Sequence, residues 1–281
     1  MCDAHVAKVV RERIQREGLP TVSRRNFLRL GGMATAAAVA SRFAVGTGQA
    51  QDAAQEVIDL THVFRLDPPT YIPGAVPSKS TVVTVQNDGF YIQEWTFGEH
   101  TGTHVDIPAH FVADGETVDV YSPQLLVSPA VVIDIAARAE ENPDTELTVE
   151  DIMAWESANG ELPVGALVCM YSGWDTRYES VEDFRNADDA GVMHFPGFHP
   201  DAAAFLVEER DIHGIAVDTL SLDNGLSSTF GTHVTVLSAG KYGIENVANL
   251  AQLIDRQATV IVGVPRWETG SGGPARILAL A

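Results

Sequence analysis

Runs of apolar residues alternate with polar, glycine-rich segments along most of the chain. Their period of two and their β-branched and aromatic content predict strands near 80–85, 91–97, 127–135, 166–172, 214–218, 258–264 and 276–280. Amphipathic helical patterns lie between several of these strands. The mixture predicts an α/β fold, with α+β as the alternative.

Three helices are predicted from start and stop signals. Thr148, followed by Asp151 three residues later, is typical of a helix cap, and Gly160 would end that helix. Pro200 suits the first turn of a second helix, which follows the apolar pattern of the next ten residues. A third helix is expected to begin near Glu245, whose carboxylate would lie at the positive end of the helix dipole.

The first fifty residues resemble a leader sequence. They contain a twin-arginine export motif, Ser23-Arg24-Arg25-Asn26-Phe27-Leu28-Arg29, followed by an Ala-rich stretch and small residues at a candidate cleavage site. Arg42 interrupts the Ala-rich stretch, which is too short for a convincing membrane span. We expect residues 1–50 to direct export through the twin-arginine translocation machinery, to the periplasm or outside the cell. An uncleaved membrane anchor is the alternative.

The remaining residues, 51–281, are strongly acidic and long enough for one domain with a sizeable core. Of the 18 Lys and Arg and 38 Asp and Glu in the chain, eight cations and three anions lie in residues 1–50, which leaves ten against thirty-five. Such a surface repels nucleic acid, so neither DNA nor RNA is an expected partner. The one cysteine of this part, Cys169, lies in an apolar run and is expected to pack in the core.

Four side chains that bind metals lie on even positions of one short segment, His100-Thr101-Gly102-Thr103-His104-Val105-Asp106-Ile107-Pro108-Ala109-His110. Even positions of an extended chain share one face, whereas Gly102 and Pro108 disfavour a helix. Imidazoles together with a carboxylate suit zinc or manganese, and Gly102 leaves room between two imidazoles. We interpret the segment as a metal site, with unrelated surface or core histidines as the alternative.

The pattern H-x-G-T-H-x-D-x-P-x-H resembles that of the cyclase family of metal-dependent hydrolases, whose members include bacterial kynurenine formamidase (arylformamidase) and isatin hydrolase. A second segment, from His233 to Val247, is similar to the downstream motif of the family, in which a His and a Glu lie twelve residues apart. The resemblance extends from about Val57 to the C-terminus. It implies a domain with the swivelling β/β/α fold, which commonly forms homo-oligomers such as dimers or tetramers.

The resemblance also implies roles for individual residues. The metal ligands would be His100, His104, Asp106, His233 and Glu245. The first three would bind one ion, and the last two would complete a second position that Asp106 bridges. The expected cofactor is therefore Zn²⁺ or Mn²⁺, one or two per chain, which would lower the pKa of a bound water from about 15.7 to roughly 7. His110 would act as the general acid/base.

The candidates for contact with a small-molecule substrate are Tyr71, Trp95, Trp174, Asp218 and Ser221. The three aromatic residues would stack on an aromatic substrate, and core packing is the alternative for each. The two polar residues follow a predicted strand in a D-T-x-S segment similar to one near the pocket of the family, and polarity at a strand end is the alternative.

We therefore expect an exported metal-dependent hydrolase resembling arylformamidase, which cleaves the formyl amide of an N-formylkynurenine-like substrate. A cyclic amide such as isatin, or a lactone, is the alternative substrate. An extracytoplasmic metal- or ligand-binding protein without turnover is the alternative from a different class. The sequence contains no G-x-S-x-G elbow, which argues against a serine hydrolase.

Overall fold

The computed structural model describes residues 56–281, together with Lys8, Glu12, Gln15 and Arg16. Nearly all of the predicted twin-arginine signal lies outside the described residues, and it stays a prediction. The described chain divides into two compact units: residues 56–78 and 96–281 form the larger, and residues 79–95 belong to the smaller. Among the described residues, no helix has the length and apolar character needed to cross a membrane.

Thirteen strands occur within residues 56–281. They are β1 (Val57–Asp59), β2 (Ser78–Val83), β3 (Ile92–Thr96), β4 (His104–Asp106), β5 (Val127–Asp134), β6 (Glu146–Leu147), β7 (Ala166–Tyr171), β8 (Gly197–Phe198), β9 (Ile212–Val217), β10 (Tyr242–Glu245), β11 (Thr259–Gly263), β12 (Gly272–Pro274) and β13 (Arg276–Leu280). Nine of them form one sheet in the order β1-β13-β11-β5-β7-β9-β10-β4-β12, while β2 pairs with β3 and β6 pairs with β8.

The same residues contain six α-helices and three short 3₁₀ turns. The helices are α1 (Val85–Asp88), α2 (Ala136–Glu141), α3 (Val149–Asn159), α4 (Val181–Arg185), α5 (Pro200–Glu209) and α6 (Gly231–Ser238), and the turns are Pro108–His110, Trp174–Arg177 and Leu250–Leu253. Two predicted helices are confirmed. Thr148 and Asp151 form a full capping box at the start of α3, and Pro200 occupies the first turn of α5.

The centre of the large sheet is parallel and buried on both faces. Strands β5, β7, β9 and β10 are parallel neighbours, and both edges of the sheet are antiparallel. In β7, Val168 and Met170 pack in the cluster that includes residues of α3, α5 and α6, whereas Leu167 and Cys169 face the opposite cluster. Cys169 is therefore a core residue, as expected. The mixed sheet with helices confirms the α/β fold.

The prediction of a helix that begins near Glu245 is wrong. Glu245 is the last residue of β10, and only the 3₁₀ turn at 250–253 follows. Asn246 and Asn249 both have positive φ angles, 56° and 60°, which a helix cannot contain. Val247 and Leu250 are buried even though no α-helix forms here, and their burial accounts for the apolar spacing of this segment.

Candidate metal centre

Strand pairing at one side of the large sheet brings distant ligands together. Strand β4 lies between β10 and β12, and its antiparallel register with β10 puts Glu245 directly opposite His104. Residues opposite each other across two strands project from the same face. Asp106, two positions after His104, shares that face. Three candidate ligands therefore converge through the backbone alone.

The orientation of the His104 ring is fixed by the backbone. Its Nδ1–H donates to the carbonyl oxygen of Gly102 at 2.8 Å, because a carbonyl can only accept. Nε2 therefore points away from the backbone. This Nε2 lies 3.2 Å from Glu245 Oε2 and 3.4 Å from Asp106 Oδ1. His104 is 3% exposed, so the imidazole and its carboxylate neighbours meet away from water.

His233 approaches the same carboxylates from helix α6. Its Nε2 lies 3.0 Å from Glu245 Oε1 and 3.4 Å from Asp106 Oδ2. Glu245 Oε1 also accepts the backbone N–H of Leu222 at 3.1 Å, which fixes that carboxylate. The two oxygens of Asp106 thus face different imidazoles, His104 on one side and His233 on the other.

His100 does not lie on the strand with His104. Gly102 between them has a φ of +66°, a left-handed conformation that turns the chain. The prediction that His100 shares one face of an extended strand with the other ligands is therefore wrong. His104 and Asp106 do share a face. The turn brings His100 Nδ1 within 2.6 Å of Asp106 Oδ1. His110 ends a 3₁₀ turn, and its ring stacks on that of His100 with centroids 3.6 Å apart.

The buried carboxylates favour positive charge on two of the imidazoles. Burial lowers the pKa of His104, but Asp106 and Glu245 outweigh it and raise that pKa to about 10. The pKa of His233 is raised well above its ordinary value for the same reason, against the effect of burial. Conversely, the imidazoles hold the pKa of Asp106 well below its usual range despite burial. Burial lowers the pKa of His110 to about 4, so its ring is neutral at pH 7.

These side chains fit a divalent cation. Among the described residues, two groups of ligand atoms each lie within 4.8 Å of one another: His100, Asp106 and His110, and His104, Asp106 and Glu245. The Nε2 atom of His104 and the Oδ2 atom of Asp106 are buried without a hydrogen-bond partner. Buried polar atoms in proteins rarely lack one. A cation would accept both lone pairs, and the mixed nitrogen and oxygen set suits zinc or manganese.

The centre opens into a cavity of about 590 Å³. Four aromatic side chains form part of its walls, namely Tyr71, Phe97, Phe111 and Phe230. The rings of Phe111 and Phe230 lie 5.6 Å apart, and the ring of Phe111 lies 4.8 Å from that of His233. A planar, largely apolar ligand therefore has aromatic surfaces to contact directly beside the candidate metal ligands.

Two of the residues predicted to contact substrate line this cavity. Tyr71 forms part of its wall, and its ring lies 5.7 Å from that of Phe230. Ser221 also lines the cavity, and its Oγ is buried without a hydrogen-bond partner. Trp95 lies on β3 in the smaller unit, where Lys79 Nζ is 5.0 Å from its ring centroid. Its contact with substrate stays a prediction.

The other two predicted contacts, Trp174 and Asp218, make structural contacts away from this cavity, and their contact with substrate stays a prediction. Trp174 is 1% exposed in a buried cluster, and its Nε1–H donates to the carbonyl oxygen of Phe184. Asp218 is fully buried, and its Oδ2 accepts the backbone N–H groups of Ser172 and Trp174. Asp218 therefore joins the ends of β9 and β7. Neither residue lines the cavity.

Several residues of the centre carried no recognisable signal in the sequence. Asp223 Oδ2 lies 2.6 Å from His233 Nδ1, and Ser271 Oγ lies 2.9 Å from His100 Nε2. An Asp before Asn-Gly and a Ser between glycines are both typical of loops, so neither stood out. Phe111 directly follows the metal motif, and that adjacency was the one usable signal.

Residues 58–224 match the Cyclase family model. The chain belongs to the cyclase family. Its cyclase-family relatives include the isatin hydrolase of Roseibium aggregatum, 34% identical over 245 residues, which are 80% of this chain and 91% of that protein. The kynurenine formamidase of Bacillus mycoides is 28% identical over 227 residues, covering 78% of this chain and 94% of that protein.

Solved structures of the cyclase family agree with this assignment. Isatin hydrolase A from Labrenzia aggregata bound to benzyl benzoate superposes with a TM-score of 0.76 at 32% identity, over 92% of this chain and 99% of that one. An isatin hydrolase bound to the product analogue thioisatinate gives a TM-score of 0.77 at 29% identity, with the same coverage of both chains. Isatin hydrolases are among these relatives, and the candidate ligands described above fit a divalent cation, so metal-dependent hydrolase chemistry is assigned to this member of the cyclase family.

Proposed function

We propose that the protein is a metal-dependent hydrolase that opens the cyclic amide of isatin-like substrates. The observation that carries this proposal is the ligand set of His104, Asp106, His233 and Glu245 at an aromatic-lined cavity. The 34% identity to the isatin hydrolase of Roseibium aggregatum supports the choice of substrate class. The arylformamidase activity expected from the sequence has weaker support, because that relative is 28% identical.

A divalent cation held by these ligands would supply Lewis-acid chemistry, which lowers the pKa of a bound water and stabilises negative charge on a carbonyl oxygen. The protein contributes the shape and charge of its surroundings. Asp106, with one oxygen toward His104 and the other toward His233, keeps the two sides of the centre together. The aromatic side chains in the cavity wall would hold a planar ring against the centre.

His110 would move the proton. It lines the cavity, and its lowered pKa leaves the imidazole neutral at pH 7, so a ring nitrogen can accept a proton from the attacking water. The water oxygen then bonds to the amide carbonyl carbon, the carbon–nitrogen bond breaks and the proton passes to the leaving nitrogen. Ring opening of isatin in this way yields a carboxylate and an aromatic amine. The stacked ring of His100 would keep His110 in position.

A formyl amide of the N-formylkynurenine type is the second candidate substrate. The kynurenine formamidase of Bacillus mycoides is matched over 94% of its length. The same ligands and the same proton carrier would serve its hydrolysis, since both substrates present an amide bonded to an aromatic ring. The two candidates therefore differ in the shape that the cavity must accept, and turnover distinguishes them.

The test is hydrolysis of isatin and of N-formylkynurenine by the full-length chain, followed by absorbance before and after removal of metal with a chelator. We expect isatin to be opened, activity to vanish with the chelator, and zinc or manganese to restore it. His104→Ala should be inactive, whereas His194→Ala, which alters an imidazole bound to Asp144 outside the cavity, should retain full activity.

Turnover of the formyl amide alone would favour the second candidate. A folded, metal-replete protein that hydrolyses neither would contradict the proposal and leave a binding protein.

We also propose that the protein is exported and forms a homo-oligomer. The twin-arginine motif at Ser23 to Arg29 supports export. A fusion of residues 1–50 to a reporter that is active only outside the cytoplasm tests it, and replacing Arg24 and Arg25 by Lys should abolish transport. Light scattering of the purified chain tests the oligomer, and a monomer would contradict it.

A further inference from the structure

The second ring nitrogen of His233 is held by a buried carboxylate that the metal motif does not include. Asp223 follows strand β9 in a loop and is 2% exposed. Its Oδ2 lies 2.6 Å from His233 Nδ1. A contact this short between a carboxylate and an imidazole has the length of a charge-assisted hydrogen bond. Asp223 itself does not line the cavity, so it has no direct route to a substrate.

The same carboxylate also begins the helix that carries His233. Asp223 Oδ1 accepts the backbone N–H of Thr232 at 2.9 Å, and Oδ2 accepts the backbone N–H of His233 at 3.2 Å. These are N–H groups that an N-cap side chain usually satisfies. Phe230 occupies the N-cap position with a φ of +52° and makes no side-chain cap. Asp223 therefore caps α6 from a distant loop.

Helix α6 needs this support because its sequence is a poor helix former. Four of its eight residues, Thr232, Val234, Thr235 and Val236, are β-branched. A carboxylate at the helix N-terminus stabilises such a segment by accepting its free N–H groups and by opposing the helix dipole. One side chain thus fixes both the helix and the ring that the helix presents to the centre.

The contact also decides which nitrogen of His233 faces the centre as an acceptor. Both oxygens of Asp223 already accept backbone N–H groups, so Asp223 is the acceptor in its contact with the ring and a hydrogen lies on His233 Nδ1. Nε2, which lies 3.4 Å from Asp106 Oδ2 and 3.0 Å from Glu245 Oε1, is then the nitrogen that can offer its lone pair to a cation. Outer carboxylates that hold ligating imidazoles in this way raise the basicity of the ligand and its affinity for a metal.

We infer that Asp223 is a positioning residue that holds His233, through Nδ1, as a cation ligand at Nε2. The inference rests on the metal-binding part of the proposed function and is independent of which amide is the substrate. A matched pair for comparison exists in the same chain. Asp144 contacts His194 Nδ1 at 2.9 Å with the same chemistry, but both side chains are about 30% exposed and lie outside the cavity.

The test is a zinc titration of the full-length chain against a competing chelating indicator. In Asp223→Asn, whichever way the amide is turned, an N–H₂ group must replace one accepting oxygen. We expect His233→Ala to lose one zinc ion. The same ion should bind about 10–100-fold more weakly to Asp223→Asn than to the wild type. Asp144→Asn and Ser227→Ala, which removes a hydrogen bond to Asp223 Oδ1, should bind zinc like the wild type. Equal zinc affinity in folded Asp223→Asn and wild type would overturn the inference, as would a His233→Ala chain that loses no zinc.

A second measurement covers the case in which Asp223→Asn fails to fold. Imidazole nitrogen NMR of the zinc-loaded wild type should place the hydrogen of His233 on Nδ1 and leave Nε2 unprotonated. A hydrogen on Nε2 would overturn the inference. A wild-type chain that binds no zinc or manganese at all would instead contradict the proposed function, so the two failures are distinguishable.

Discussion

The near and far halves of the candidate metal centre hold their imidazoles by different means. The near half, residues 100–110, lies on one continuous segment, where a neutral backbone carbonyl, that of Gly102, orients His104. The far half consists of His233 on α6 and Glu245 on β10, and a buried carboxylate, Asp223, orients the imidazole. A ligand on a paired strand is fixed by its backbone, whereas a ligand on a weak helix needs a charged anchor.

The largest expected effect comes from breaking both halves at once. Asp106→Asn removes the carboxylate that lies between His104 and His233, so both halves lose a shared anion. We expect loss of the bound cation and a fall in turnover of at least about 10³-fold, since cation chemistry supplies several kcal/mol of charge stabilisation. Elemental analysis and initial rates measure the two effects. Full metal content in this variant would show that Asp106 is no ligand, and Asp144→Asn is the surface control.

His110→Ala tests whether this member of the near half moves protons or binds the cation. A role in proton transfer predicts a loss of about 10²–10⁴-fold in turnover with the metal content unchanged. His110 also lies in one of the two groups of candidate ligand atoms. Loss of the cation in this variant would therefore assign His110 to the ligands and leave the proton carrier unidentified.

Asp218→Asn tests the end of β9, the strand that pairs with β10 of the far half. Burial raises the pKa of Asp218 to about 7, and nearby Asp175 adds to this, against three hydrogen bonds from Ser172 and Trp174. Because the folded pKa exceeds the unfolded value, Asp218 contributes most to the free energy of unfolding below about pH 4. That contribution is lost as the pH rises through 7. The wild type should lose about 2–4 kcal/mol relative to the variant between pH 4 and 8. Denaturant unfolding across this range measures it, and a constant difference would contradict the raised pKa.

Gly102→Ala tests the backbone anchor of the near half and has the smallest expected effect. The residue has a φ of +66°, and a Cβ there would lie 3.1 Å from Phe64 Cδ2. The variant should lose about 1–2 kcal/mol of unfolding free energy, measured by thermal unfolding. Gly74→Ala is the control for strain alone, because its φ is +80° with open space around it and no part in the centre. Weaker metal binding in Gly102→Ala only would connect the turn with His104.

The parts of the fold that the sequence predicted are those in which burial and local pattern agree. Strands β5, β7, β11 and β13 lie within one residue of their predicted ends, because they are apolar runs between clear turns. The capping box at Thr148 and Asp151 was equally local. The near half of the centre was predictable for the same reason, since its residues are close in the sequence.

The far half shows where such prediction ends. Helix α6 has a composition rich in β-branched residues, yet it is a helix, and Asp223 caps its N-terminus from another loop. Conversely, the segment after Glu245 has helical apolar spacing, yet two asparagines with positive φ keep it irregular. In both places a tertiary contact or a backbone turn outweighs local propensity, and neither can be recognised from one sequence.

The most direct test of the account is the metal content per chain of the full-length protein, purified without chelator and without a histidine tag. We expect one or two tightly bound zinc or manganese ions per chain, because His104 Nε2 and Asp106 Oδ2 are buried without a hydrogen-bond partner. A folded protein that holds no transition metal, even after incubation with excess zinc or manganese, would contradict it.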